Sequence, residues 1–328
     1  MKILITGGCG FLGHHVVEHL LKSTDAEIVI VDRLSYASNG FDRLRDIKAY
    51  ENPRVRIIAT NFTLPFTTGA IKEIGEVEYI LHLGAETHVD RSIVSATQFV
   101  LSNVLGTQRI LDLARKIDSL KLMIYASTDE VYGPAGDGIA YKETDQAHPT
   151  NPYAATKLGG EALCLAYANT HKVPVCITNT MNLFGERQHP EKFIPMVIKS
   201  TLAGEMVPIH ANPDCTKAGS RFYLHCRNYA SAVSFLIDNA IVGEKYNVVG
   251  EREIDNLQLA LFISKIVGRT LLYEMVDFHS SRPGHDLRYA LDGGKMERMG
   301  WKPTVAFEDS LTKTVKWYLN NPRWLDWS

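Results

Sequence analysis

Short apolar runs rich in β-branched residues recur along the chain, and between them apolar residues return at helical spacing. KILIT (2–6) and EIVIVD (27–32) flank FLGHHVVEHLLKS, which carries its apolar side chains on one helical face, so the chain opens with a strand, a helix and a second strand. RVRIIA, VEYILHLGA, KLMIYAS and VPVCITNT continue the strand pattern, with SNVLGTQRILDLARKI and YAATKLGGEALCLAYANT as helices among them. Near-continuous apolar strands alternating with helices predict an α/β fold, a doubly wound parallel sheet covered on both faces. After about residue 183 the stretches HPEKFIP, HANPDCTKAG and SRPGHDLRY are polar and punctuated by Pro and Gly. NYASAVSFLIDNA (228–240) and KYNVVG (245–250) then return to helix and buried strand. The pattern therefore predicts interleaved units: residues 1–182 plus 222–250 build the sheet, and 183–221 plus 251–328 a smaller C-terminal lobe that binds substrate. The tail NNPRWLDWS either docks or frays.

Composition narrows the functional classes. With 328 residues, 45% of them hydrophobic, and a formal net charge of -2, the chain can bury a sizeable core and lacks the basic blocks that draw a protein to nucleic acid or an anionic membrane. The longest apolar runs are strand-sized and MKILITGGCG does not have the order of a signal peptide, so a cytoplasmic protein is expected. Cys9, Cys164, Cys176, Cys215 and Cys226 are odd in number and form no CxxC pair, so reduced thiols are expected. No His/Cys/carboxylate cluster has zinc-site spacing, and no metal is expected.

TGGCGFLG sets Gly7, Gly10 and Gly13 between the first strand and its helix, with Phe11 and Leu12 opening that helix. A diphosphate can approach bare backbone there and meet the amides at the helix N-terminus. Such glycines alone are a weak signal, but Asp32 ends the second strand about twenty residues on, where a carboxylate accepts hydrogen bonds from ribose hydroxyls. The context is that of a Rossmann-type dinucleotide site. Asp32 favours NAD over NADP, a preference that the adjacent Arg33 weakens. Ser35 follows in the same loop, Asn61 and Phe62 follow the third strand where an adenine could lie, and Leu83, Gly84, Ala85 and Thr87 follow the fourth. Asn103 and Ser127 complete the candidate cofactor set.

Tyr153 and Lys157 in NPYAATK are four residues apart, which brings them onto one face of a helix. A nearby ammonium and a positive nicotinamide ring would lower the tyrosine pKa and make it a base. STDEVYG (127–133) sets Asp129 and Glu130 side by side where the strand KLMIYA ends. Two close carboxyls in a partly desolvated cleft do not both ionise cheaply, so one keeps its proton as an acid while the other serves as a base. Taken alone, the pair also fits a solvated loop or a helix N-cap with a first-turn acid.

TGxxGxxG, Ser127 and YxxxK resemble the extended short-chain dehydrogenase/reductase superfamily, whose members act on nucleotide sugars. More narrowly, DRLSYASN, HLGAETHVDRS, STDEVYG, NPYAATK, HPEKFIP, YNVVG and RPGHDLRYALD resemble, in order and over nearly the whole chain, the NAD-dependent nucleotide-sugar 4,6-dehydratases typified by dTDP-glucose 4,6-dehydratase. The resemblance implies a dehydratase step in deoxysugar biosynthesis, as in the rhamnose pathway. Tyr153 and Lys157 would serve oxidation at C4, Thr128 would bind the 4-oxygen, Asp129 would protonate the departing C6 hydroxyl and Glu130 would take the C5 proton. An epimerase or decarboxylase of the same superfamily needs Tyr153 and Lys157 but has no use for the adjacent acids, and a catalytically silent dinucleotide sensor needs none of them.

The resemblance further implies that a nucleotide-diphosphate hexose is the substrate, with Arg221 and Arg288 suited to its pyrophosphate. Asn182, Glu191, Lys192 and Asn256 match polar positions around the sugar or nucleotide, and Thr87 is placed to meet sugar hydroxyls. Phe222 and Tyr223 stand where the family has Asp-Trp, and TMNLFGERQ differs from its Asn-Asn-Tyr-Gly segment, which leaves thymine and uracil both open as the base. A homodimer through the helices around 95–117 and 151–170 is also implied.

Overall fold

The computed structural model describes residues 1–277 and 287–327. Seven parallel strands form its central sheet: β1 (Lys2–Thr6), β2 (Glu27–Asp32), β3 (Val55–Ala59), β4 (Tyr79–His82), β5 (Leu122–Ala126), β6 (Val175–Thr180) and β7 (Lys245–Val248), in the order β7-β6-β5-β4-β1-β2-β3. The chain runs outward from β1 through β2 to β3, then returns to lay β4 against the other side of β1 and proceeds to the far edge. Thr6 thus has Val31 on one side and His82 on the other. The direction reverses between β1 and β4, and at such a switch point the connections diverge and leave a crevice beyond the carboxyl ends of the strands.

The alternation of side chains along each strand divides the core. Ile3, Ile5, Ile28 and Ile30 face one side, and Leu4, Val29 and Val31 the other. Four helices close the faces: α1 (Phe11–Ser23), α2 (Gly106–Ala114), α3 (Pro152–His171) and α4 (Cys226–Asn239). Val16, Val17 and Leu20 of α1 with Tyr229, Val233 and Leu236 of α4 cover the first face, where Met296 and Trp301 also pack. Ile110 and Leu111 of α2 and Cys164 of α3 cover the second.

A third core lies outside the sheet. Helices Phe193–Ala203, Asn256–Val267 and Phe307–Asn320 pack Val197, Ile263, Leu311 and Tyr318 together, beside a parallel strand pair Val207–Ala211 and Tyr273–Asp277. Asp255 caps the second of these helices by accepting from the Gln258 amide at 2.8 Å, and Gly268, at φ 75°, ends it. The tail docks: Trp324 is 2% exposed within this core. All five cysteines are free, and no helix among the described residues is long and apolar enough to cross a membrane.

Candidate active site

The crevice at the switch point is a single cleft running from the glycine loop across the strand ends to the lobe. On the cofactor side, backbone dominates. Gly7 has φ 72°, and a Cβ there would lie 2.7 Å from the Gly84 Cα. A Cβ on Gly13 would come within 2.1 Å of the Gly7 carbonyl oxygen, so helix α1 can seat against the loop only with glycine at that position. Gly10 caps α1 without a side-chain hydrogen bond, which leaves the helix N-terminus open to an anion. The Asp32 carboxylate is oriented by the Cys9 amide (3.0 Å) and the Leu34 amide (2.8 Å) and retains acceptor capacity toward the cleft. These features fit a dinucleotide: bare backbone for a diphosphate and a fixed carboxylate for ribose hydroxyls.

Phe11, Leu12, Arg33, Ser35, Phe62, Leu83, Gly84, Ala85 and Thr87 line the same cleft. Arg33 is ion-paired with Glu86, so its charge is engaged within the protein. The Phe62 ring lies so close beneath Gly84 and Gly106 that a Cβ on either would collide with it. Asn61 does not face the cleft; its Oδ1 accepts from the Thr63 amide and hydroxyl, closing the turn that positions Phe62. Asn103 is buried in a widened helical turn, Val100–Leu105, where it accepts from the Glu86 amide, donates to the Glu86 carbonyl and donates to Thr156 Oγ1. It fixes the cleft wall and the helix of Tyr153 relative to each other. Wide turns of this kind recur at functional sites.

The reactive cluster gathers where β5 ends and α3 begins. Thr128, Asp129, Glu130, Tyr153 and Lys157 all line the cleft. Asn151 caps α3, accepting from the Ala154 amide at 2.8 Å, and its Nδ2 donates to Glu130 Oε2 at 2.8 Å. Thr128 donates to Asp129 Oδ1 at 2.9 Å and is hydrogen-bonded to the Tyr153 phenol. Burial raises the pKa of both acids, and the Asp129 charge pushes Glu130 up further, while Arg221 opposes both shifts and Lys192 opposes that of Glu130. Both acids also receive hydrogen bonds that favour their carboxylates, Glu130 from Asn151 and Asp129 from Thr128 and the Asp129 and Glu130 backbone amides, while the buried Asp129 Oδ2 has no partner among the described residues.

The groups of the protein itself disfavour the Tyr153 phenolate. Burial, followed by the Glu130 charge, holds the phenol well above the ordinary tyrosine range, with the Thr128 hydrogen bond opposing. The Lys157 ammonium donates to the Ala126 carbonyl at 2.6 Å and lies 4.4 Å from the Tyr125 ring, and burial lowers its pKa to about 8 against the pull of Glu161. The protein's own groups therefore favour the protonated phenol, and forming the phenolate calls for a positive charge beside it in the cleft. Ser127 lines the cleft but spends its hydroxyl on Glu161 at 2.5 Å, a 1% exposed carboxylate that also takes Asn179 (2.7 Å) and Lys245 (2.6 Å).

Toward the lobe, Asn182, Glu191 and Lys192 line the cleft. Glu191 lies 3.3 Å from His88 and 3.6 Å from Arg91, so it ties the lobe to the loop after β4. Three predicted substrate positions stand outside the lining. Arg221 donates to the Ser220 and Leu287 carbonyls and lies over the Tyr289 ring at 4.6 Å, reaching the acids by its charge. Asn256 accepts from the Tyr223 hydroxyl at 2.8 Å. Arg288 makes a two-pronged pair with Glu253, at 2.8 and 3.0 Å, and donates to the Gly136 and Ile139 carbonyls. Arg282, Pro283, Gly284, His285 and Asp286, which begin the last family-like motif, lie outside the described residues.

Sequence reasoning missed Asn151, Glu161 and Arg43. Asn151 was legible as Asn-Pro opening a helix, the signature of a cap followed by proline in the first turn. Glu161, four residues after Lys157, gave a pairing signal. Arg43 gave none, because its environment is assembled from distant segments.

Residues 4–314 match the family described as GDP-mannose 4,6-dehydratase. A dTDP-glucose 4,6-dehydratase from Salmonella typhimurium is 36% identical over 349 residues, covering 99% of this chain and 95% of that protein. A trifunctional UDP-glucose 4,6-dehydratase/UDP-4-keto-6-deoxy-D-glucose 3,5-epimerase/UDP-4-keto-L-rhamnose reductase from Arabidopsis thaliana is 33% identical across 98% of this chain and 48% of its own length. Among solved structures, the dTDP-glucose 4,6-dehydratase DesIV from Streptomyces venezuelae, with NAD bound, superposes with a TM-score of 0.90 at 35% identity, covering 99% of each chain.

Proposed function

The chain belongs to the family of nucleotide-sugar 4,6-dehydratases, NAD-dependent hydro-lyases of the extended short-chain dehydrogenase/reductase type, and we propose that it acts on dTDP-glucose. The observation that carries this reading is the placing of buried Asp129 and half-buried Glu130 in one cleft with Tyr153, Asp129 and Tyr153 being joined through Thr128. An epimerase needs only the Tyr153 and Lys157 pair; removing water across C5 and C6 needs an acid and a base as well.

Tyr153 takes the proton of the 4-hydroxyl as C4 is oxidised. NAD, when bound, would supply the hydride acceptor for C4 and the hydride donor for C6. The 4-ketone acidifies the C5 proton, which Glu130 removes, while Asp129 protonates the C6 hydroxyl so that it departs as water. Glu130 then gives its proton back to C5. The substrate ends as the 4-keto-6-deoxy sugar; one proton leaves the 4-hydroxyl and one enters the released water, and the Thr128 bridge lies between the residues that handle them. Gly7, Gly10, Gly13 and Asp32 would hold the dinucleotide, and Asn182, Glu191, Lys192 and Arg221 the sugar nucleotide.

The Arabidopsis relative supports UDP-glucose as the second substrate reading. Thymine and uracil differ by one methyl, which a pocket separates by only about 1–3 kcal/mol. Incubation with dTDP-glucose and UDP-glucose separately, followed by alkali-induced absorbance of the 4-keto sugar and loss of water by mass, tests both; no product from either refutes the reading. With it we place the cofactor in residues 1–182 plus 222–250 and the sugar nucleotide in 183–221 plus 251–328, in a cytoplasmic homodimer. Exposed Val100, Leu101 and Leu165 on the helices through 97–114 and 152–171 support the pairing.

A further inference from the structure

Arg43, on the short helix Asp42–Asp46, is 0% exposed and lines the cofactor side of the cleft. Its guanidinium joins separate parts of the fold. Nε donates to the Arg187 carbonyl (2.9 Å) at the entry to the lobe. Nη1 donates to the Ala37 (2.7 Å) and Ser38 (2.8 Å) carbonyls in the loop after Asp32, and lies 3.5 Å from the Cys9 carbonyl in the glycine loop. Its plane stands 4.9 Å from the Trp327 ring of the docked tail.

Nη2 differs from the other nitrogens. It is buried, and among the described residues it has no hydrogen-bond partner. Burial lowers the Arg43 pKa to about 10, with Tyr318 and Asp32 opposing, so its charge is only partly compensated inside the protein. A buried guanidinium whose charge is only partly offset and whose Nη2 has no acceptor is costly unless a ligand supplies what is missing. The adjoining space is the one in which the glycine loop and Asp32 would receive a dinucleotide.

We infer that Arg43 is a cofactor-binding residue, its Nη2 donating to an oxygen of the adenosine diphosphate half of the dinucleotide while its charge offsets that of the diphosphate. The inference rests on the dinucleotide reading of the cleft. It also gives the internal redox cycle a means of retention, since a hydride taken at C4 must be returned at C6 before the cofactor leaves. Through Arg187 and Trp327, the same guanidinium links that retention to the lobe.

Calorimetric titration of nucleotide-free wild type, Arg43→Leu and Arg43→Lys with NAD and with ADP-ribose, which has no nicotinamide, tests it. Arg43→Leu is expected to weaken both ligands roughly ten- to a hundredfold, as for loss of a charge-assisted hydrogen bond, with Arg43→Lys intermediate because it keeps the charge and loses the planar fork. Melting temperatures of the ligand-free proteins identify folded variants; if Arg43→Leu does not fold, Arg43→Lys carries the comparison. Affinities within about twofold of wild type in folded variants, with only a lowered melting temperature, would overturn the proposal and make Arg43 a loop-pinning residue. A wild type that binds NAD yet makes no dehydrated sugar refutes the proposed function and leaves this inference testable by the same titration, whereas a wild type that binds neither ligand overturns both.

Discussion

The two ends of the cleft are built from different materials. On the cofactor side, main chain does the positioning: Gly7 and Gly13 permit close approach, and backbone amides orient Asp32. On the sugar side, side chains do it, and burial and neighbouring charges set their protonation. Backbone contacts are rigid and do not titrate, whereas a site made of desolvated acids is tunable and costs stability.

The sharpest way to break the contrast lies on the tunable side. Tyr153→Phe should slow C4 oxidation about 10³–10⁴-fold, within the span of general acid–base effects, and a stopped-flow trace of cofactor reduction with an unchanged rate would remove Tyr153 from that step. Glu130→Gln should leave oxidation intact and slow elimination roughly 10²–10³-fold, so that reduced cofactor and 4-keto-glucose persist; normal turnover would show that another group takes the C5 proton.

On the rigid side, Gly13→Ala forces its Cβ against the Gly7 carbonyl, and about 1–3 kcal/mol of stability should be lost together with NAD affinity. Chemical denaturation with and without NAD measures this, and an unaltered midpoint would show that the loop yields. Asp129→Asn should go the other way, raising unfolding stability by about 1 kcal/mol at pH 8 while turnover falls. The sign follows from the raised folded-state pKa: the wild-type carboxyl is best accommodated when protonated, and stability declines as pH climbs from the unfolded pKa through the folded one. The advantage of the variant should therefore shrink as pH drops through that window, and a gain independent of pH would contradict the assignment. A smaller effect is expected at the rim, where Glu191→Gln should change the KM for sugar nucleotide only a few-fold, the scale of partly exposed ion pairs.

The sheet was legible because its signals are local. KILIT and EIVIVD match β1 and β2 residue for residue, and FLGHHVVEHLLKS matches α1. Ordered motifs also brought Thr128, Asp129, Glu130, Tyr153 and Lys157 together in one cleft. The lobe helices Phe193–Ala203 and Phe307–Asn320 were harder to see, since their apolar faces are completed by segments far away in the chain. Hydroxyl and guanidinium partners were not legible. Ser127 turning to Glu161 and Arg288 pairing with Glu253 depend on side-chain directions, and the raised Tyr153 pKa depends on how completely its surroundings exclude water.

Asn151 serves two masters through one planar group: its oxygen starts the helix that presents Tyr153, and its nitrogen grips Glu130. Oxidation and elimination are consequently registered against a common ruler a single amide wide. Any displacement of the helix start carries the proton abstractor with it, so the two halves of the reaction keep their alignment with each other even as the cleft adjusts around a sugar.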